Sequence, residues 1–169
     1  QEANLAMGGI DVIGSLKKVD FLSGLSEAQL EKLSQIGRAA EYPGQSTIFE
    51  EHGEAKDVYL ILHGKVALAN CTPTTGCRMM MTVSDGELMG WSPLVESDRL
   101  SATAHTLAPT TLLAFDGHAL LKLCEDDPKF GFELMRRTAK VLEERLMATR
   151  LQMLDLCGAQ LPDIALESD

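Results

Sequence analysis

The sequence lacks a long apolar run, a leader-type segment and an excess of basic residues. No apolar run approaches the ~20 residues that a membrane-spanning helix requires, so we expect no membrane partner. No basic and apolar segment with a small-residue cleavage site opens the chain, and the cytoplasm is the expected location. Because the first residue is Gln1 rather than Met, a leader that has been removed stays an open alternative.

The balance of charge limits the classes of partner. The formal net charge is −10 and the pI is about 4.8. Phosphate backbones are bound by clustered Lys and Arg residues, so we expect no nucleic acid to bind this chain alone. A small anionic ligand is not excluded, because one local arginine can override the average charge.

The four cysteines, Cys71, Cys77, Cys124 and Cys157, form no C-x-x-C pair. A chain of 169 residues does not need disulfides to fold, and we expect reduced thiols. Cys71 and Cys77 flank a loop with hairpin character, and a disulfide across its neck stays open if the Cα atoms lie within ~7 Å. No histidine is close enough in sequence to complete a metal site there.

Motifs for catalysis are also absent. The chain contains no G-x-S-x-G, H-E-x-x-H or G-x-x-x-x-G-K-[ST] sequence. Asp126 and Asp127 precede Pro128, which is typical of a helix start rather than an acid/base pair. We therefore expect a chain that is not an enzyme.

The first part of the chain has helical character, which extends over residues 15–40. Residues 1–14 contain two glycines and no clear period, and we expect a flexible lead-in. Two short helices are predicted, around 15–20 and over 27–37. Ser26 and Gln29 have near capping-box spacing at the start of the second helix.

The middle of the chain alternates between short apolar runs and turns that contain Gly or Pro. Strands are predicted over 46–50, 58–62, 65–70, 78–83, 101–106 and 111–116. Many short strands with such turns indicate a sandwich or roll. The run 58–62 is nearly continuous, as expected of a strand buried on both faces, and the methionines at 79–81 are expected to fill the core. The predicted fold class is α+β, with a double-stranded β-helix (a β-roll or jelly roll).

Helical periodicity returns near Gly117, with a short helix over 117–124 and a long helix over 128–156. A heptad row runs along the long helix through Met135, Ala139, Leu142, Leu146, Thr149, Met153 and Leu156. A second apolar row runs through Leu134, Val141 and Ala148. One row can cover the roll while the other meets a partner helix, which predicts a homodimer; burial of both rows on the chain's own domain is the alternative. The acidic tail 157–169 is expected to be frayed.

Five segments accompany this order of elements. They read YPGQSTIF at 42–49, EHGE at 51–54, YLILHGKV at 59–66, DGELMGW at 85–91 and RLSATA at 99–104. Together they resemble the cyclic-nucleotide-binding domain of the catabolite-activator and anaerobic-regulator superfamily, over residues 15–156.

The resemblance implies a sensor or regulatory domain whose ligand is cAMP or a related small anion. The resemblance also implies a phosphate-binding cassette over residues 85–104, which begins with DGELMGW and ends with RLSATA. In such a cassette, backbone N–H groups at a glycine-containing helix start and an arginine hold the phosphate. Residues 88–93 would form that short helix, and Glu87 would accept a hydrogen bond from the ribose hydroxyl. The candidate ligand-binding residues are Gly86, Glu87, Leu88, Met89, Arg99, Ser101, Ala102 and Thr138.

The chain departs from the family pattern at the phosphate arginine. The family places arginine directly before the small pair that corresponds to Ser101 and Ala102, but Leu100 stands there and Arg99 lies one residue earlier. On an extended chain, a shift of one residue turns the side chain to the other face. Either Arg99 reaches around a bulge into the pocket, or the pocket has no phosphate arginine.

Two other interpretations stay open. The roll can be a degenerate dimerisation or interaction module, with the pocket filled by Trp91, Leu100 and Leu142, or the protein can be a thiol- or haem-based redox sensor. Regulators of the superfamily continue into a helix-turn-helix, whereas only residues 157–169 follow the long helix here. We therefore expect a stand-alone domain or a piece of a longer protein.

Overall fold

The computed structural model describes residues 11–160. The predicted lead-in over 1–14 lies mostly outside these residues, and so does most of the predicted acidic tail. Helix α1 (Val12–Leu16) and a 3₁₀ turn (Asp20–Leu22) precede α2 (Glu27–Ile36), so the first helix begins and ends earlier than predicted. The predicted cap of α2 is confirmed, because the Ser26 and Gln29 side chains form a reciprocal capping box.

Eight strands form two four-stranded sheets in which every pairing is antiparallel. They are β1 (Gly37–Tyr42), β2 (Thr47–Phe49), β3 (Asp57–His63), β4 (Lys65–Thr72), β5 (Gly76–Ser84), β6 (Leu88–Met89), β7 (Thr103–Thr106) and β8 (Thr110–Asp116). The order is β1-β8-β3-β6 in the first sheet and β2-β7-β4-β5 in the second. This β-roll with flanking helices confirms the predicted fold class.

The first sheet is buried on both faces. Along β3, Val58 and Leu60 pack in a cluster with the helices, whereas Ile61 packs in the cluster between the sheets. All three side chains are at most 1% exposed. Because successive strand side chains point to opposite faces, burial of both faces explains the continuous apolar run predicted for 58–62.

Two sequence expectations about local structure are wrong. The predicted helical stretch 15–40 ends at Ile36, and β1 begins at Gly37. A Cβ atom at Gly37 would lie 2.8 Å from the Phe115 ring, so the close pairing of β1 with β8 needs glycine there. Of the three methionines at 79–81, Met79 and Met80 are exposed, because β5 is the edge strand of the second sheet, and the third packs against the core.

Helices α3 (Gly117–Asp126) and α4 (Pro128–Cys157) agree with the two helices predicted for the end of the chain. The first half of α4 is anchored by the buried residues Phe130, Leu134 and Thr138. Arg137 also donates hydrogen bonds to the carbonyl groups of Phe21 and Ser23, each at 2.6 Å. Across residues 11–160, no helix is long and apolar enough to cross a membrane.

Candidate functional site

The turn between β5 and β6 positions Gly86 and Glu87 against strand β3. Gly86 has φ +79°, and its N–H donates to the carbonyl of Ile61 at 2.8 Å, while the N–H of Ile61 donates to the carbonyl of Glu87 at 3.0 Å. The Glu87 carboxylate accepts a hydrogen bond from the Ser84 N–H at 2.7 Å. The exposed Glu87 side chain therefore closes its own turn.

The predicted short helix over 88–93 is wrong in its position. Leu88 and Met89 form β6 and are buried on β3, and the helix is a 3₁₀ turn over Ser92–Val95. Between them Gly90 has φ +67°, and a Cβ atom there would lie 2.9 Å from the Tyr59 ring. This positive φ at close approach to Tyr59 ends the strand before a helix can begin.

Arg99 does not point toward Glu87 or the Ser92–Val95 turn. Its backbone bridges to Glu54, and its guanidinium Nη1 donates to the carbonyl of His52 at 3.1 Å. The side chain is exposed, whereas its neighbour Leu100 is buried at 6% exposure. The alternation along this extended segment thus turns Leu100 inward and Arg99 outward.

Four of the eight predicted ligand-binding residues line two separate concavities. Ser101 and Ala102 border a small cavity of about 30 Å³ inside the roll, whose other lining residues are Phe49, Leu68, Gly90, Trp91, Ser92 and Leu100. Gly86 and Glu87 border an open groove of about 430 Å³ outside it, next to Lys18. The small cavity has room for no more than about two or three water molecules and is far below the ~300 Å³ or more of a ligand pocket.

Thr138 lines neither concavity. It is 3% exposed, and its hydroxyl donates to the carbonyl of Leu134 at 2.9 Å, one turn earlier in the same helix. The Thr138 hydroxyl is therefore already bonded within α4.

Arg145 on α4 contacts the cassette, and it was not among the residues predicted from the sequence. Its Nη2 donates to the carbonyl of Leu88 at 2.5 Å, and its guanidinium carbon lies 4.5 Å from the centre of the Trp91 ring. Arg145 follows Thr138 by two helical turns and therefore lies on the same face; this spacing is the signal that points to it in the sequence.

The environment of the Arg145 guanidinium is unusual for a cation. The side chain is half-buried, and its Nη1 atom is buried without a hydrogen-bond partner. Desolvation lowers the pKa of Arg145, while the charges of Glu87 and Glu144 act in the opposite direction. Arginine stays charged in proteins, so a desolvated cation is held between α4 and the cassette with one donor unused.

The family model for the cyclic nucleotide-binding domain matches residues 39–127. The chain belongs to this family. Apart from the first two residues of β1, the matched range contains all eight strands and α3. Residues 128–157 of α4, including Arg145, lie beyond it.

Relatives of this cyclic nucleotide-binding domain include a "CRP-like cAMP-activated global transcriptional regulator" of Mycobacterium tuberculosis, 21% identical over 87% of this chain. The chain spans 64% of that relative's length. A "Putative Cyclic nucleotide-binding protein" from Geobacter metallireducens has 25% identity and a TM-score of 0.70, covering 82% of this chain and 99% of its own. The catabolite activator protein of Thermus thermophilus has 26% identity and a TM-score of 0.66, with 82% and 62% covered.

Metal ligands do not cluster in the part of the chain that the structure describes. Within residues 11–160, no group of three or more His, Cys, Asp or Glu side chains is arranged to hold a metal ion. Cys71 and Cys77 are joined in a disulfide, whereas Cys124 and Cys157 are free. The expectation of four reduced thiols is therefore wrong for the first pair.

Proposed function

We propose that this chain is a regulatory domain that binds a small ligand at the cassette and transmits binding through α4 to a second copy of the chain. The observation that carries this proposal is the contact of Arg145 with both Leu88 and Trp91. A residue of α4 thereby contacts the backbone of the cassette at Leu88 and its aromatic ring at Trp91. A change in the position of either cassette residue must alter the environment of Arg145.

The energetic reason is the low solvation of Arg145. A desolvated guanidinium gains more from each charged or polar partner than an exposed one does. A ligand that bonds to Nη1, or that displaces the Trp91 ring, therefore changes the free energy of the α4–cassette contact. Ligand binding can shift α4 only by this difference between the two arrangements.

The second half of α4 supports the dimer. Its exposed large apolar residues are 49–83% accessible, and they are Leu146, Met147, Leu151, Met153, Leu154 and Leu156. Leu146, Met153 and Leu156 belong to the heptad row, so they would form a seam with the same helix of a second copy. Met147, Leu151 and Leu154 are off the heptad row, so the proposed seam does not include them.

Light scattering of the purified chain tests the dimer. We expect a dimer mass for the wild type and for Met147→Glu, and a monomer mass for Leu146→Glu. The two residues are equally exposed, at 52% each, but only Leu146 is on the heptad row, so Met147→Glu is a matched control. A monomeric wild type, or an unchanged mass for Leu146→Glu, contradicts the seam.

For the ligand, we propose cAMP or a related small anion. Family membership and the exposed carboxylate of Glu87 support it. Glu87 borders the outer groove, whereas Ser101 borders the small cavity. A ligand bound by both therefore requires Glu87 to turn inward and Leu100 or Trp91 to move. Titration calorimetry with cAMP tests it, with Glu87→Gln as the variant expected to bind more weakly and Asp98→Asn as control. If millimolar cAMP gives neither binding heat nor a shift in the thermal midpoint, the proposal that cAMP is the ligand is wrong.

A second candidate is a degenerate roll that serves as an interaction module without a nucleotide. It is favoured by the 30 Å³ cavity beside the buried Leu100 and by the outward position of Arg99. The same titration decides between the two candidates, because this module predicts a dimer with no cAMP heat. For a haem sensor, an absorbance spectrum of freshly purified protein provides the test, and a colourless protein rejects it.

A further inference from the structure

The neck of the β4–β5 hairpin contains two cysteines at directly opposed positions. Cys71 pairs with Cys77 in the strand register, and the pairs Asn70–Arg78 and Thr72–Gly76 flank them. The Cα atoms are 3.9 Å apart, and the two sulfur atoms are bonded. The strand pairing therefore holds the two cysteines opposite each other, which favours re-formation of the bond after it is broken.

The cysteine pair is accessible from solvent. Cys77, the paired strand ends Thr72 and Gly76, and the connecting turn 73–75 are exposed, and Cys71 is half-buried. A thiol reagent can therefore approach the bond from the Cys77 side. By contrast, burial raises the pKa of Cys124 to about 11, which suppresses the thiolate that reacts in exchange.

Hydrogen bonds connect this neck to the small cavity. The Glu51 carboxylate accepts from the Cys71 N–H and from the Asn70 side chain, both at 2.8 Å. The Asn70 side chain also donates to the carbonyl of Ser101 at 2.6 Å. Glu51 is only 14% exposed, so water compensates these bonds poorly, and Ser101 lines the cavity together with Trp91.

We propose that Cys71 and Cys77 form a reversible redox site that exchanges with small thiols and thereby changes the packing around Ser101 and Trp91. A thiolate of the glutathione type attacks one sulfur, the Cys–Cys bond breaks, and a mixed disulfide forms with a cysteine thiolate as leaving group. A second thiolate attacks the sulfur of the external thiol in this mixed disulfide. The products are two protein thiols, after protonation, and one oxidised thiol dimer, a two-electron reduction of the protein.

The reverse reaction uses the oxidised thiol dimer as oxidant, so the site needs no metal or cofactor. A disulfide in a cytoplasmic protein is typically transient or redox-sensing, and the cytoplasm is the predicted location here. Reduction removes the covalent link at the neck, and the bonds that Cys71 and Asn70 make to Glu51 then depend on the strand pairing alone. The Ser101 carbonyl, which accepts from Asn70, is the cassette group through which reduction of the disulfide would reach the cavity.

The experiment equilibrates the full chain in a series of glutathione redox buffers. Free thiols are counted after denaturation, and the emission of Trp91, which is the single tryptophan of the chain, is recorded in the native protein. We expect two thiols to appear and disappear reversibly, and the emission to change with the same midpoint. The variant Cys124→Ser/Cys157→Ser should behave in the same way, with two thiols fewer throughout.

The double variant Cys71→Ser/Cys77→Ser separates a redox site from a general effect of the buffer. It should show constant emission and a constant count of two thiols over the same series. A wild-type protein with two thiols, or with four, in every buffer overturns the reversible site. A thiol transition without any change in emission overturns its connection to the cavity. Neither result depends on whether cAMP binds or α4 dimerises, which calorimetry and light scattering measure separately.

Discussion

The contact between Arg145 and Trp91 can be measured as a coupling free energy. The perturbations are Arg145→Met, which keeps an unbranched apolar stem, Trp91→Leu, and the double variant. In the structure the guanidinium carbon lies 4.5 Å from the ring centre, and the side chain is half-buried. Cation–π contacts contribute about 0.5 kcal/mol at exposed sites and about 2 kcal/mol when desolvated. We therefore expect a coupling of about 1 kcal/mol.

The single variant Arg145→Met tests the remaining contacts. It removes the hydrogen bond to the Leu88 carbonyl, for which a charged donor contributes about 1.5–3 kcal/mol. It also removes the buried Nη1 that has no partner, which relieves about 1–3 kcal/mol. The two effects nearly offset each other, so the loss of stability should be close to the coupling itself, about 1 kcal/mol.

Urea unfolding followed by circular dichroism is the suitable assay, since Trp91 is itself replaced and cannot serve as the probe. All four proteins are compared at one concentration, because dimerisation would otherwise change the apparent stability. Additive effects within about 0.5 kcal/mol would refute the reasoning that Arg145 and Trp91 act as one unit. Arg150→Met, an exposed arginine on the same helix, is the control and should leave the stability unchanged.

Three further predictions concern the frame around the site. Gly64→Ala should destabilise the fold by about 2 kcal/mol or more, because φ is +125° and the new Cβ would lie 2.5 Å from the Thr110 hydroxyl oxygen; an unchanged urea midpoint contradicts this. Phe130→Ala, at a side chain 1% exposed, should cost about 3–5 kcal/mol, and a shift in the thermal midpoint of less than a few degrees would be inconsistent with it. Two hydrogen bonds lower the pKa of Asp85 in the folded protein, a stronger one from the Gly64 N–H and a weaker one from the His63 side chain. The stability that this lowered pKa provides is present above the ordinary carboxyl pKa of about 4 and is lost as the pH falls through the lowered value. Asp85→Asn should therefore lose less stability than wild type between pH 6 and pH 3. Parallel curves of unfolding free energy against pH for the two proteins would contradict the lowered pKa.

Most elements were predictable where one periodicity dominated. The capping residues Ser26 and Gln29, the apolar run of β3 and the heptads of α4 are local patterns, and each matches its element in the structure. Strand β1 was not predictable, because its pairing with β8 depends on the fit of Gly37 against Phe115. Strand β6 was missed for a similar reason, since two residues carry no periodicity and only their partners on β3 define them.

The candidate site was predictable only in part. The family motifs led to the turn at Gly86 and to Ser101, but these residues line different concavities. The outward direction of Arg99 follows from its bridge to Glu54, which is far away in sequence. The spacing from Thr138 indicates the helix face of Arg145, but its partner Leu88 lies 57 residues earlier, and no local pattern joins these two positions.

The sequence by itself determined the element order, the roll and the amphipathic long helix, because these follow from periodicity and turn residues within short windows. Tertiary structure alone decided which side chains meet at the cassette. It turned Leu100 inward, placed Arg145 on Trp91, and brought Cys71 opposite Cys77. These contacts depend on strand register and on the packing of α4 against the roll, which arise only when distant segments come together.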